Sequence, residues 1–162
     1  MVKVWLKKKL LIYNAQVLSV LLYNSSSWSL NQDMLNRVDA SHRKHLRYIL
    51  NMHWPHGCIS DESLYLRCNA KPISKLIEKS RWTLLGHLLR SPETNPASLA
   101  LHFAVVSTEY WKGRVGRPYA NLLDVLRKDL EKRNTYMNSL DDLYELYNIA
   151  SDRAKWRSLA EV

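Results

Sequence analysis

Apolar residues recur at three- and four-residue spacing through most of this chain, and no segment sustains the two-residue alternation of a half-buried strand. Leu11, Ala15, Leu18 and Leu22 form one such series. Leu35, Val38, His42, His45 or Leu46, and Ile49 form a second. Ile73, Leu76, Ile77, Trp82 or Leu84, Leu85 and Leu88 form a third. Each reads as the buried stripe of an amphipathic helix. Only four glycines occur in 162 residues, so little interrupts these helices. The expected fold is all-α, an irregular multi-helix bundle of about six to eight helices.

Punctuating residues set the expected boundaries. The first helix runs over about 2–23 and ends at Asn24 and the serines 25 to 27, and a second covers about 32–50. Trp54-Pro55-His56-Gly57 reads as a turn. Ser60 is an N-cap for a short helix to about Cys68, with Asp61 and Glu62 in its first turn. Pro72 suits the start of a longer helix over about 73–90. Further helices are expected over about 97–106 and 119–133, from Ser139 or Asp141 to about 149, and briefly from Asp152. Residues 107–117 read as a basic linker loop between a basic bundle, 1–106, and a C-terminal helical segment, 118–162.

The net charge of +9 is unevenly distributed. Residues 1–50 hold eight Lys and Arg against two acids, residues 51–120 nine against five, and residues 121–162 seven against eight. A clustered cationic surface attracts phosphate backbones in a salt-dependent way, which points to nucleic acid. The two cysteines, Cys58 and Cys68, make no disulfide framework and point to a reduced intracellular setting, nuclear or cytoplasmic. With His53 and His56 they do not give a zinc-finger spacing, so neither a metal nor a cofactor is expected. Lys3 and Lys7 to Lys9 ahead of the apolar run Leu10–Tyr23 imitate a signal peptide. Asn14, Gln16 and Ser19 interrupt that run, which is short for a bilayer. An amphipathic helix is the expectation, with a signal sequence as its alternative and no membrane association.

Catalytic patterns are missing. Asp141-Asp142 has Ser139 two residues before it and reads as the charged start of a helix. No Gly-x-Ser-x-Gly elbow occurs, and Gly113 to Gly116 lacks the Lys-Ser ending of a phosphate loop. His87 on an apolar face is expected to be a core histidine rather than a base or metal ligand. Gly86 is costly inside a helix, which a close helix crossing would explain. Trp82 is expected in a core rather than stacked on a base.

Five stretches, in order, resemble the region downstream of the catalytic palm in non-LTR retrotransposon reverse transcriptases. They are Leu21-Leu22-Tyr23-Asn24-Ser25-Ser26-Ser27-Trp28; Arg43 to Leu50 with Trp54-Pro55; Arg81-Trp82-Thr83-Leu84-Leu85-Gly86-His87-Leu88-Leu89-Arg90; Gly116-Arg117-Pro118 with Asp124 and Asp129-Leu130; and Asp152-Arg153-Ala154-Lys155-Trp156-Arg157. Asn24 stands where that family usually has glycine, Ser26 replaces an acid, Tyr119-Ala120 a basic pair, and Leu122 a tryptophan. The family's aromatic-x-Asp-Asp polymerase motif and its nuclease pattern of acid, any residue, lysine are both lacking.

The resemblance implies a fragment of an RNA-directed DNA polymerase that retains a thumb-like, nucleic-acid-holding region without the active site, so the chain by itself is not expected to be an enzyme. Its implied partners are RNA and DNA as a template–primer duplex, with no small-molecule substrate. Lys7, Lys8 and Lys9 on the first helix, and Arg37, Arg43, Lys44 and Arg47 on the second, are the leading candidates for phosphate contacts. Arg81, Arg90, Arg114 and Arg117 join them. The short helix, turn and long helix over 60–90 invite a helix-turn-helix analogy. The alternative is a domesticated or remnant protein-interaction module without a nucleic-acid role.

Overall fold

The computed structural model describes residues 2–53, 59–92, 94–107 and 121–160, and all regular structure among them is helical. α1 (Val2–Ile12) continues without a break through a π-helical stretch, Tyr13–Leu18, into the short α2 (Ser19–Leu21). A 3₁₀ turn at Ser25–Ser27 precedes α3 (Gln32–Ile49), α4 (Asp61–Cys68), α5 (Ile73–Arg90) and α6 (Pro96–Ser107). α7 (Leu122–Glu131), α8 (Leu140–Ser151) and α9 (Arg153–Ala160) complete the chain. Taking the continuous stretch 2–21 as one helix, the described residues hold eight.

The caps follow from residue chemistry. The side chains of Asn31, Ser60 and Ser139 accept the backbone N–H of Met34, Ser63 and Asp142 at the starts of α3, α4 and α8. Asp142 returns the favour to Ser139, closing a capping box. Helix ends use asparagine where glycine is usual: Asn24, Asn51, Asn69 and Asn134 all take positive φ, 47–55°. After α3, α4 and α7 the chain turns back to bond an earlier carbonyl, as in Met52 N–H to Arg47 O at 2.9 Å and Ala70 N–H to Tyr65 O at 3.0 Å.

The chain divides into two compact units, residues 1–25 with 30–77, and residues 26–29 with 78–162. This differs from the expected boundary at 107–117. α6 groups with the C-terminal helices because its Leu101 and Val105 are buried with Leu123, Leu126, Leu130, Leu143 and Leu146. Apart from Ser107, the last residue of α6, the expected linker over 107–117 lies outside the described residues.

Unit 1 buries Tyr13, Leu18, His42, Leu46, Leu64, Cys68, Ile73 and Ile77. The expected face of the first helix is corrected here: Leu11 and Ala15 are exposed, while Tyr13 and Leu18 are inside. The cause is the π stretch. Its hydrogen bonds span five residues, so residues 13 and 18 share a side that an α-helix would separate. On α3 the choice between His45 and Leu46 falls to Leu46, which is buried while His45 is exposed. Unit 2 buries Trp82, Leu85 and Leu89 from α5, the α6, α7 and α8 leucines named above, Met137, Ala150, and Trp156 from α9.

Candidate nucleic-acid interface

In unit 1 the expected phosphate contacts separate into free and engaged cations. Lys7, Lys8, Arg37 and Lys44 are exposed, and among the described residues none of them forms an ion pair. Arg37 and Lys44 lie seven residues apart on α3, which returns them to one face about 10 Å apart along the axis. Lys9 sits over the Trp5 ring with its ammonium 4.3 Å from the centroid. Arg43 and Arg47 both reach Asp61 at the start of α4, at 3.0 and 2.6 Å. Their positive charge is therefore partly neutralised, and they tie α3 to α4.

Behind that face Tyr13 Oη and His42 Nδ1 share a hydrogen bond of 2.9 Å, with their rings stacked. His45 Nδ1 lies 3.4 Å from the same phenol oxygen. Burial, ahead of its neighbouring charges, lowers the pKa of His42 and favours the neutral ring. Burial likewise raises the Tyr13 phenol.

In unit 2 the structure corrects two expectations. Arg81 is not a surface cation. It is buried, and its Nε and Nη2 donate to Asp129 Oδ2 at 2.8 and 2.6 Å. A guanidinium so enclosed cannot meet a phosphate, and its role is to hold α5 against α7. Arg133 and Glu78 extend this group with an ion pair of 3.0 Å, and Lys132 reaches the other Asp129 oxygen at 3.3 Å. His87, expected inside a core, is exposed, because Gly86 rather than His87 faces the neighbouring helix.

Trp82 is buried as expected, stacked on Trp156 with centroids 4.3 Å apart and planes 13° from parallel. Each indole N–H donates to the other residue's carbonyl, Trp82 to Trp156 O at 2.9 Å and Trp156 to Trp82 O at 3.1 Å. Arg81, Trp82 and Gly86, Asp129, and Trp156 come from three of the five stretches that carry the resemblance, and here they meet in one core.

Arg90 closes α5 and donates from Nη1 to Ala150 O at 3.1 Å. Beside it lie Arg153 and Arg157, one turn apart on α9, and Lys79 on α5, residues that segment-by-segment charge counting overlooked. That count gave the C-terminal segment a net negative charge. Three of its eight acids, however, are engaged elsewhere: Asp142 caps α8, Asp152 accepts the Ala154 and Lys155 N–H groups at the start of α9, and Asp129 binds Arg81. Helical spacing of Arg153 and Arg157 was the available signal.

Arg114 and Arg117, with Trp54-Pro55, His56, Cys58 and Gly116-Arg117-Pro118, lie outside the described residues. Among the described residues no group of three His, Cys, Asp or Glu comes together as metal ligands, and no helix is long and apolar enough to cross a membrane. Comparison of the chain with protein-family models, with curated proteins and with solved structures gives no match.

Proposed function

We propose that this chain is a nucleic-acid-holding helical region of a retrotransposon-type reverse transcriptase, without polymerase chemistry of its own. The observation that carries the reading is the in-order set of five stretches, of which Arg81-Trp82, Asp129-Leu130 and Trp156 belong to one buried arrangement. Residues of these types at these spacings have a shared structural reason, which a chance scatter of short motifs would lack. The nucleic-acid role is supported by Lys7, Lys8, Arg37 and Lys44, which are exposed and, among the described residues, outside ion pairs. Such groups release counterions from a phosphate backbone and position it without reading sequence.

One observation favours the rival reading of a protein-interaction module. Leu11, Ile12, Val20 and Tyr23 expose apolar surface along the first helical stretch. Binding to a hybrid RNA–DNA duplex across a salt series separates the two. The proposal expects affinity that falls steeply with salt and is similar across sequences. Absence of salt-dependent binding to duplex or single strand sinks it and leaves the interaction module.

A further inference from the structure

A cleft of about 280 Å³ opens beside α5 and α9 within unit 2. Buried Trp82 and Trp156 line its base, and Lys79, Arg90, Arg153 and Arg157 line its sides. Its size is many times the roughly 10–15 Å³ that one water needs on the same measure, enough for a phosphate group with its sugar. Among the described residues no carboxylate lines it, and none of its four cations is ion-paired.

The helices fix this arrangement. Lys79, Thr83, Gly86 and Arg90 follow the three- and four-residue spacing of one α5 face, and Arg153, Trp156, Arg157 and Ala160 do the same on α9. Trp156 seats against Gly86, so the charged side chains that flank both residues are held around one opening. The bond from Arg90 to Ala150 O keeps that guanidinium at the wall. Burial, and next the charges of Arg153 and Arg157, lower the Arg90 pKa, as expected where like charges crowd without a counter-ion. An anion bound among them relieves that repulsion. Arginine forks match the paired oxygens of a phosphate, and an aromatic base beneath them suits a sugar or a nucleobase edge.

We propose that this cleft is a phosphate-binding site that takes a phosphate group of a nucleic-acid strand. The strand as the phosphate's source rests on the nucleic-acid reading above, while the preference for phosphate rests on the cleft's own charges. A free nucleotide carries the same chemistry.

The test uses the whole chain and two charge-matched variants, Arg153→Gln with Arg157→Gln, and Lys128→Gln with Lys155→Gln. Lys155 lies between the two arginines in sequence but about 200° around α9 from each, so its loss changes net charge without touching the cleft. Binding of a labelled single strand of about twelve nucleotides is followed by anisotropy over a salt series. The arginine variant is expected to lose affinity about tenfold or more, and its salt slope to fall by about 1.4 units for two lost contacts. The lysine variant should lose much less. Arg153→Lys with Arg157→Lys keeps the charge and should recover part of the loss, which separates phosphate contact from damage to the fold.

Inorganic pyrophosphate provides the second arm, read as amide shifts of Arg90, Arg153 and Arg157 by NMR. If the strand does not bind but pyrophosphate moves those signals in wild type and not in the arginine-to-glutamine variant, the site is a phosphate site with a free-phosphate source and the nucleic-acid reading fails. Equal losses in the arginine and lysine variants, or no response to either ligand, overturn the proposal.

Discussion

Trp156 occupies the space that a side chain at Gly86 would need. A methyl group added at Gly86 would lie 2.7 Å from Cδ1 and 2.8 Å from Cε2 of the indole, with Nε1 nearer still. The ring is held against Gly86, because its N–H is bonded to Trp82 O and its own carbonyl holds the Trp82 indole. Trp82 O is also the helical acceptor for the N–H of residue 86. A bare glycine there lets a second donor reach the same carbonyl.

Gly86→Ala is therefore expected to destabilise unit 2 by about 1–3 kcal/mol through overpacking, even though alanine gains about 1 kcal/mol in helix propensity. With Trp156→Ala already in place the sign should reverse, since only the propensity gain remains. Urea titration of the four chains in this cycle measures the coupling. A stabilising Gly86→Ala in the presence of Trp156 would show that the crossing is not this close.

The buried pair of Arg81 and Asp129 gives a second expectation. Asp129→Asn should destabilise by about 3–5 kcal/mol, because it leaves a guanidinium enclosed without its counter-charge. Replacing both with apolar residues of similar volume should recover most of that loss. If Asp129→Asn has no effect on the urea midpoint while the fold is intact, Arg81 is reachable by water and its place among nucleic-acid contacts must be reconsidered.

Much of the architecture is legible in the sequence, and the failures have identifiable causes. Helix starts at Ser60 and Ser139 and the span of α5 follow from capping chemistry and apolar spacing, which are local. Apolar spacing points to a different face of the first helix because the period itself changes at Tyr13–Leu18, and no residue there announces a π stretch. Arg81 reads as a surface cation because its partner Asp129 lies 48 residues away, and an arginine on a helix looks the same in sequence whether it meets water or a carboxylate. The cationic cleft is hidden in the sequence for the opposite reason. Summing charge over residues 121–162 cancels Arg153 and Arg157 against acids such as Asp129 and Asp142, which the fold uses as ion-pair partner and cap.

His42 sets an expected pH dependence. Burial lowers its folded pKa below the ordinary value of about 6.5. The unfolded chain then binds the proton more readily, so the contribution of this group is fully present above about pH 6.5. It is lost as pH falls from there through the folded pKa. Urea midpoints at about pH 8 and pH 5, on either side of the unfolded value, should drop more for wild type than for His42→Gln. Asp39, Arg43 and His45 also act on this ring, and the variant leaves all three in place. Equal drops for the two chains would mean that His42 takes up its proton as easily folded as unfolded.

The two pairs of α3 cations should behave differently toward a hybrid duplex. Arg37 and Lys44 are exposed, and among the described residues neither is ion-paired, whereas Arg43 and Arg47 converge on Asp61. Arg37→Gln with Lys44→Gln removes two formal charges, and so does Arg43→Gln with Arg47→Gln, so long-range attraction is matched. Contact is not matched. The first variant should lower the salt slope by about 0.9 units per lost phosphate contact, with the melting temperature unchanged. The second should change the slope less and lower stability by up to about 1 kcal/mol, since it removes a partly exposed tie between α3 and α4. Anisotropy over a salt series, with a thermal melt of each chain, reads both quantities. If replacing Arg43 and Arg47 flattens the slope more than replacing Arg37 and Lys44, the two arginines leave Asp61 for the phosphates, and the binding face extends toward α4.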